Sequence, residues 1–296
     1  MLTPIFKGAG IAIITPFDAD GKINYDRFGE LIDYQINNDT DAIIVCGTTG
    51  ESSTMTDEEH INTIAYAVER AEHRVPVIAG TGSNDTMYAR ELSYKAQKIG
   101  ADAVLLVTPY YNKTTQAGLV KHFSTIASKI DIPIVLYNIP GRTGMGIDIS
   151  TMEHLVKIPN IVAVKEASGN ISYVAKLIAE YGDKITVYSG NDDMIVPIMS
   201  LGGKGVISVL SHVIPRETHM ITQLCLCNNF IEAAELQLGY LDLINALFCE
   251  VNPIPVKAAL NIMGWKVGNC RLPLCEMSRE NFLHLKNVLW LHGLTE

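Results

Sequence analysis

The chain has 296 residues, 48% of them apolar, and carries a formal net charge of −9. That composition fills one large domain or two ordinary ones and excludes a disordered chain. The acidic balance speaks against a nucleic-acid partner or an anionic membrane surface, and no apolar run reaches the ~18–20 residues of a membrane span.

The opening residues, MLTPIFK, lack the basic-then-apolar layout of a signal peptide, so a cytoplasmic location is expected. Six cysteines form no CxxC pair and eight histidines form no HxH or HExxH pattern, so no metal is expected.

In chain order, short apolar runs alternate with amphipathic stretches. The first run, residues 10–15 (GIAIIT), precedes residues 25–37, where Phe28, Leu31, Ile32 and Ile36 share a helical face. Residues 42–47 (AIIVCG) precede Thr56-Asp57-Glu58-Glu59, a capping-box pattern opening a helix to residue 70. Residues 75–80 (VPVIAG) and 103–108 (AVLLVT) are followed by helical patterns over 86–98 and 116–129. Residues 133–138 (PIVLYN), 161–165 (IVAVK), 185–189 (ITVYS) and 205–209 (GVISV) complete the set, with helices predicted over 150–156, 172–179 and 193–201.

The runs are almost wholly apolar, as parallel strands covered on both faces require. Eight βα units of this length predict an α/β fold, a (β/α)8 TIM barrel. A doubly wound sheet is the alternative, and no GxGxxG follows the first run to support it. Further helices are predicted over 215–228, 231–249, 255–263 and 279–291. The division is a barrel over residues 1–226 and a C-terminal helical extension over 227–296.

In such a barrel the C-terminal ends of the strands converge on one face, where the active site lies. Those ends carry Gly47-Thr48-Thr49-Gly50-Glu51-Ser52, Thr108-Pro109-Tyr110-Tyr111-Asn112, the residues from Tyr137 to Gly144, Lys165, and Ser189-Gly190-Asn191-Asp192. Lys165 closes a buried run. A buried ammonium is costly unless it is paired or loses its proton. Lys165 is therefore either an amine nucleophile of lowered pKa or a strand-end cation paired with Glu166. Arg142, in a glycine-rich loop, offers a bidentate fork to a carboxylate or phosphate, or caps carbonyls. Thr48 and Thr49 read equally as turn or cap residues.

Three segments, Gly47-Thr48-Thr49-Gly50-Glu51, Tyr137-Asn138-Ile139-Pro140-Gly141-Arg142-Thr143-Gly144 and Val164-Lys165-Glu166-Ala167-Ser168-Gly169, resemble signatures of the dihydrodipicolinate synthase family. This family belongs to the pyruvate-dependent class I aldolase superfamily, and the resemblance covers essentially the whole chain. It implies a lyase that condenses pyruvate with L-aspartate 4-semialdehyde through a lysine Schiff base and needs no cofactor. The product would be 4-hydroxy-tetrahydrodipicolinate, in the first committed step of diaminopimelate and lysine biosynthesis. Lys165 would form the imine and Tyr137 would carry protons. Thr48 would link Tyr137 to Tyr111, which reaches in from the second copy in a tight dimer. Thr49 would hold the pyruvate carboxylate and Arg142 that of the second substrate. Gly190 and Ile207 match positions whose backbone carbonyls line the pocket. A homotetramer built from two tight dimers is implied.

The competing readings are another pyruvate aldolase, such as N-acetylneuraminate lyase, and a non-catalytic barrel that binds a 2-keto acid. Arg142 argues for a carboxylate-bearing aldehyde over a sugar. Ser52, His60, Asn84 and Tyr110 match an allosteric lysine site found in some family members. Tyr88 stands where sensitive enzymes carry a glutamate, and Asp57 where some carry histidine, so weak or absent feedback is expected.

Overall fold

The computed structural model describes residues 3–295. Each apolar run forms a strand: β1 (Gly8–Ala12), β2 (Ala42–Val45), β3 (Val77–Gly80), β4 (Ala103–Val107), β5 (Ile134–Asn138), β6 (Ile161–Glu166), β7 (Thr186–Ser189) and β8 (Gly205–Ser208). All neighbours are parallel, and β8 pairs back to β1, closing an eight-stranded barrel.

The helices are α1 (Tyr25–Asn37), α2 (Asp57–Ala71), α3 (Thr86–Lys98), α4 (Gln116–Ala127), the single turn α5 (Pro140–Thr143), α6 (Ile149–Leu155), α7 (Ile171–Tyr181) and α8 (Ile195–Ser200). After the barrel strands come α9 (Pro215–Leu226), α10 (Phe230–Gly239), α11 (Leu241–Ala246), α12 (Ile254–Ile262) and α13 (Arg279–Leu291). Thr56 and Glu59 form the expected capping box at α2. Among the described residues no helix is long and apolar enough to cross a membrane.

Two departures from the sequence expectation bear on ring closure and on the helical extension. β1 begins at Gly8, two residues before the predicted run, because ring closure rests on glycines that strand propensity disfavours. A Cβ on Gly205 would sit 2.0 Å from the Gly8 carbonyl oxygen, so β1 and β8 approach closely only without side chains there. The helix predicted over 231–249 is two, α10 and α11, broken at Gly239-Tyr240. Gln237 of α10 spends its buried amide on the barrel, accepting from Val196 N at 2.9 Å and donating to Asp193 O at 2.8 Å.

Strand alternation sorts the side chains into two layers. Ile44, Ile78, Val135, Tyr137, Ala163, Tyr188 and Ile207 fill the barrel interior, with Phe6 stacked on Tyr188 at 4.3 Å. Ile43, Val45, Val104, Leu136, Val164 and Val187 pack outward beneath the helices. Lys165 shares the parity of Ala163 and points inward, whereas Glu166 shares that of Val164.

The helical extension is clamped onto the barrel. The Lys257 ammonium on α12 donates to Glu51 Oε1 at 2.7 Å, with both side chains almost wholly buried. Glu51 Oε2 also accepts from Arg271 N at 2.9 Å. Glu51 adopts a left-handed backbone at φ 56°, so the turn after Thr48 and Thr49 is held by an ion pair that reaches across the molecule.

Candidate active site

The register of the sheet sets Tyr137 of β5 beside Lys165 of β6. The Lys165 Nζ lies 4.4 Å from the centre of the Tyr137 ring. Glu166 does not pair with it. Its carboxylate accepts from Asn138 Nδ2 at 2.7 Å and from Ser168 N at 2.7 Å, tying β5 to β6 on the outer side. Lys165 takes part in no ion pair among the described residues. The strand-end pairing weighed from sequence is thus replaced by an inward, desolvated amine. Burial lowers its pKa to about 8; Asp192 pulls upward and Arg142 pushes further down. Burial also raises the Tyr137 phenol to about 12, against the pull of Arg142 and the Thr48 hydroxyl.

The loop after β5 positions Arg142. Pro140 opens α5, and Gly144 ends it in a left-handed conformation. The Thr143 hydroxyl donates to Met145 O at 2.7 Å and accepts from Thr108 Oγ1 at 3.0 Å. Asn138 Oδ1 accepts from Ile147 N at 3.1 Å. Arg142 Nη2 then donates to the Asn252 carbonyl at 3.1 Å.

Thr48, Thr49, Tyr137, Arg142, Lys165 and Gly190 all line one cavity of about 360 Å³ at the C-terminal mouth of the barrel. Gly190 is there for space: a Cβ would meet Ala167 Cβ at 2.6 Å and Lys165 Cε at 3.1 Å. Ile207 lies apart from the lining, buried in the interior layer. Tyr111 is outside the cavity of its own chain, at positive φ and 94% exposed.

The sequence reading gave no role to two groups. Asp192, buried in the loop after β7, lines the cavity. Its position at a strand end was the available signal. Asn252, from the helical extension, also lines it and donates from Nδ2 to Thr49 Oγ1 at 2.9 Å. No motif or period in the sequence marks Asn252.

A second cavity, of about 380 Å³, adjoins the first and shares Thr48, Tyr137 and Arg142. Ser52, His60, Tyr88 and Tyr110 line it. His60 Nε2 lies 2.8 Å from Gly80 O, and burial keeps the ring neutral-leaning, below its ordinary pKa. Asn84 is placed beside it, donating to the Tyr110 carbonyl at 3.1 Å. The Tyr88 hydroxyl donates to Asp57 Oδ1 at 2.7 Å.

A desolvated amine, a phenol, a guanidinium and paired threonines in one cavity suit imine chemistry on a keto acid. The chain's relatives agree. The Dihydrodipicolinate synthetase family model matches residues 5–290. The 4-hydroxy-tetrahydrodipicolinate synthase of Acetivibrio thermocellus is 58% identical over 294 residues, covering 99% of this chain and 100% of that protein. The crystal structure of dihydrodipicolinate synthase from Aquifex aeolicus superposes with a TM-score of 0.96 at 46% identity, covering 98% of this chain and 99% of that one. The chloride-inhibited dihydrodipicolinate synthase of Acinetobacter baumannii, complexed with pyruvate, gives 0.95 at 41% identity, covering 97% and 99%. By sequence, by fold and by the residues gathered at its barrel mouth, the chain belongs to the dihydrodipicolinate synthetase family.

Proposed function

We propose that this protein condenses pyruvate with L-aspartate 4-semialdehyde through a Schiff base on Lys165, releasing 4-hydroxy-tetrahydrodipicolinate. The observation that carries the proposal is the buried, unpaired Lys165 amine facing Tyr137, with Arg142 in the same cavity. The neutral amine adds to the pyruvate carbonyl to give a carbinolamine, and a proton delivered by Tyr137 lets its oxygen leave as water, so that the nitrogen lone pair forms a cationic imine. The imine draws electrons from the methyl carbon, which gives up a proton and becomes an enamine nucleophile. Attack on the aldehyde forms the carbon–carbon bond. The substrate's own amine then displaces Lys165 and closes the ring. Tyr137 keeps its proton near neutrality, so it can pass one through the Thr48 hydroxyl without adding a buried charge. Thr49 holds the pyruvate carboxylate, and Gly190 leaves room beside the lysine. Ile207 backs the pocket from the interior layer.

Two outcomes test the roles. Only the unprotonated amine attacks a ketone, so the rate of pyruvate adduct formation should rise with pH and level off above about 8, measured by stopped flow. Arg142→Ala should still form the adduct while kcat/KM for the aldehyde falls about 10²- to 10³-fold. Loss of the adduct itself would overturn the role given to Arg142.

The active unit proposed is a tight dimer in which Tyr111 of each copy completes the other's proton relay, two such dimers forming a tetramer. Its exposure, beside the partly exposed Tyr88, Tyr110 and Met87, supports this. A cytoplasmic location is part of the same reading. Feedback by lysine is proposed to be weak. The position that would offer a carboxylate to the effector's ammonium is Tyr88, and Tyr88 occupies Asp57. Titrating the enzyme with L-lysine through the micromolar range should leave the rate unchanged, and half-inhibition in that range would refute it.

A further inference from the structure

We infer that Asp192 is a positioning residue that supplies the counter-charge to the cationic imine on Lys165. The inference rests on the Schiff-base reading above.

Asp192 lies just beyond β7, the strand next to β6, two residues after the glycine that makes room for the Lys165 stem. It is 2% exposed and lines the reaction cavity. Its Oδ2 accepts from Val209 N and Leu210 N, each at 3.0 Å, which fixes the carboxylate in place. Its Oδ1 is buried and has no hydrogen-bond partner among the described residues. An unpaired buried carboxylate oxygen is expensive and calls for a reason.

A cation that arrives only during the reaction provides one. The groups acting on Lys165 are Tyr137 and Arg142 from the β5 side and Asp192 from the β7 side, while Glu166 faces outward. Tyr137 stays neutral and Arg142 repels positive charge, so the stabilising anion is Asp192. Burial lifts the Asp192 carboxyl above its ordinary range, and hydrogen bonds from Ser208, Leu210 and Val209 together with the Lys165 charge oppose that lift. Addition of the amine to the ketone gives a neutral carbinolamine; one proton taken from Tyr137 lets its oxygen depart as water and leaves one positive charge on nitrogen. Loss of the methyl proton removes it, and carbon–carbon bond formation restores it. The carboxylate therefore faces both cationic imines of the cycle and stabilises each.

The test is NMR titration of the adduct between the [15N]lysine-labelled protein and [2-13C]pyruvate, run on the native protein and on Asp192→Asn. The native imine should remain protonated well above about pH 8. In Asp192→Asn its midpoint should fall by at least about one pH unit, a tenfold gain in acidity, with kcat lowered about tenfold or more. An unchanged midpoint overturns the inference even if kcat falls, because a purely structural role predicts that result. If Asp192→Asn does not fold, the native titration decides: an imine already neutral at about pH 8 overturns the inference. Absence of any adduct on the native protein would instead defeat the Schiff-base reading itself.

Discussion

Lys165→Ala should leave no borohydride-trappable pyruvate adduct and lower turnover by about 10⁴-fold or more. Among the described residues no other lysine lines this cavity. Lys257, also deeply buried, is committed to Glu51 and to the Asn269 carbonyl. The variant should also fold at least as well as the native chain. Burial holds Lys165 at about 8 against an ordinary 10.5, which costs on the order of 3 kcal/mol wherever the unfolded lysine is charged and the buried one must be desolvated. For a lysine of depressed pKa this cost is complete below about pH 8 and fades as pH rises toward 10.5. Lys165→Ala should therefore raise the melting temperature at pH 7, less the loss of its packed stem, and the gain should shrink near pH 10. Residual turnover above about 1% of native would contradict the role of Lys165.

The second large effect concerns stability. Lys257→Met should destabilise the chain by about 3–5 kcal/mol, because it strands the Glu51 carboxylate in an almost fully buried site. For a chain of this size that is a melting temperature lower by roughly 10 °C, read by calorimetry. Activity should fall with it, since Glu51 anchors the turn that carries Thr48 and Thr49. Replacing both partners, Glu51→Gln with Lys257→Met, should recover part of the loss, because removing both charges removes the desolvation penalty. A single variant that melts within about 1 °C of native would show that the clamp contributes little.

The barrel was legible in the sequence because burial on both strand faces leaves a run of apolar residues that local pattern can detect. All eight runs became strands, and 25–37, 86–98 and 279–291 became helices with the bounds that periodicity suggested. What escaped detection depends on distant partners. Gly8 looks like a strand breaker until the barrel closes on it against Gly205. Within the site, Lys165, Tyr137 and Arg142 could be placed because each ends or follows a strand and carries distinctive chemistry. Asn252 could not, since its contact with Thr49 spans some two hundred residues and nothing nearby in sequence announces it. The choice between a nucleophilic and an ion-paired Lys165 also needed the fold: strand parity alone turns Glu166 away from it.

The most direct test of the central claim is reduction of the native protein with borohydride in the presence of pyruvate, followed by peptide mapping. A single pyruvate-derived adduct on the peptide containing Lys165, absent when pyruvate is omitted, is the predicted result. No adduct, or an adduct mapped to a different lysine, would contradict it.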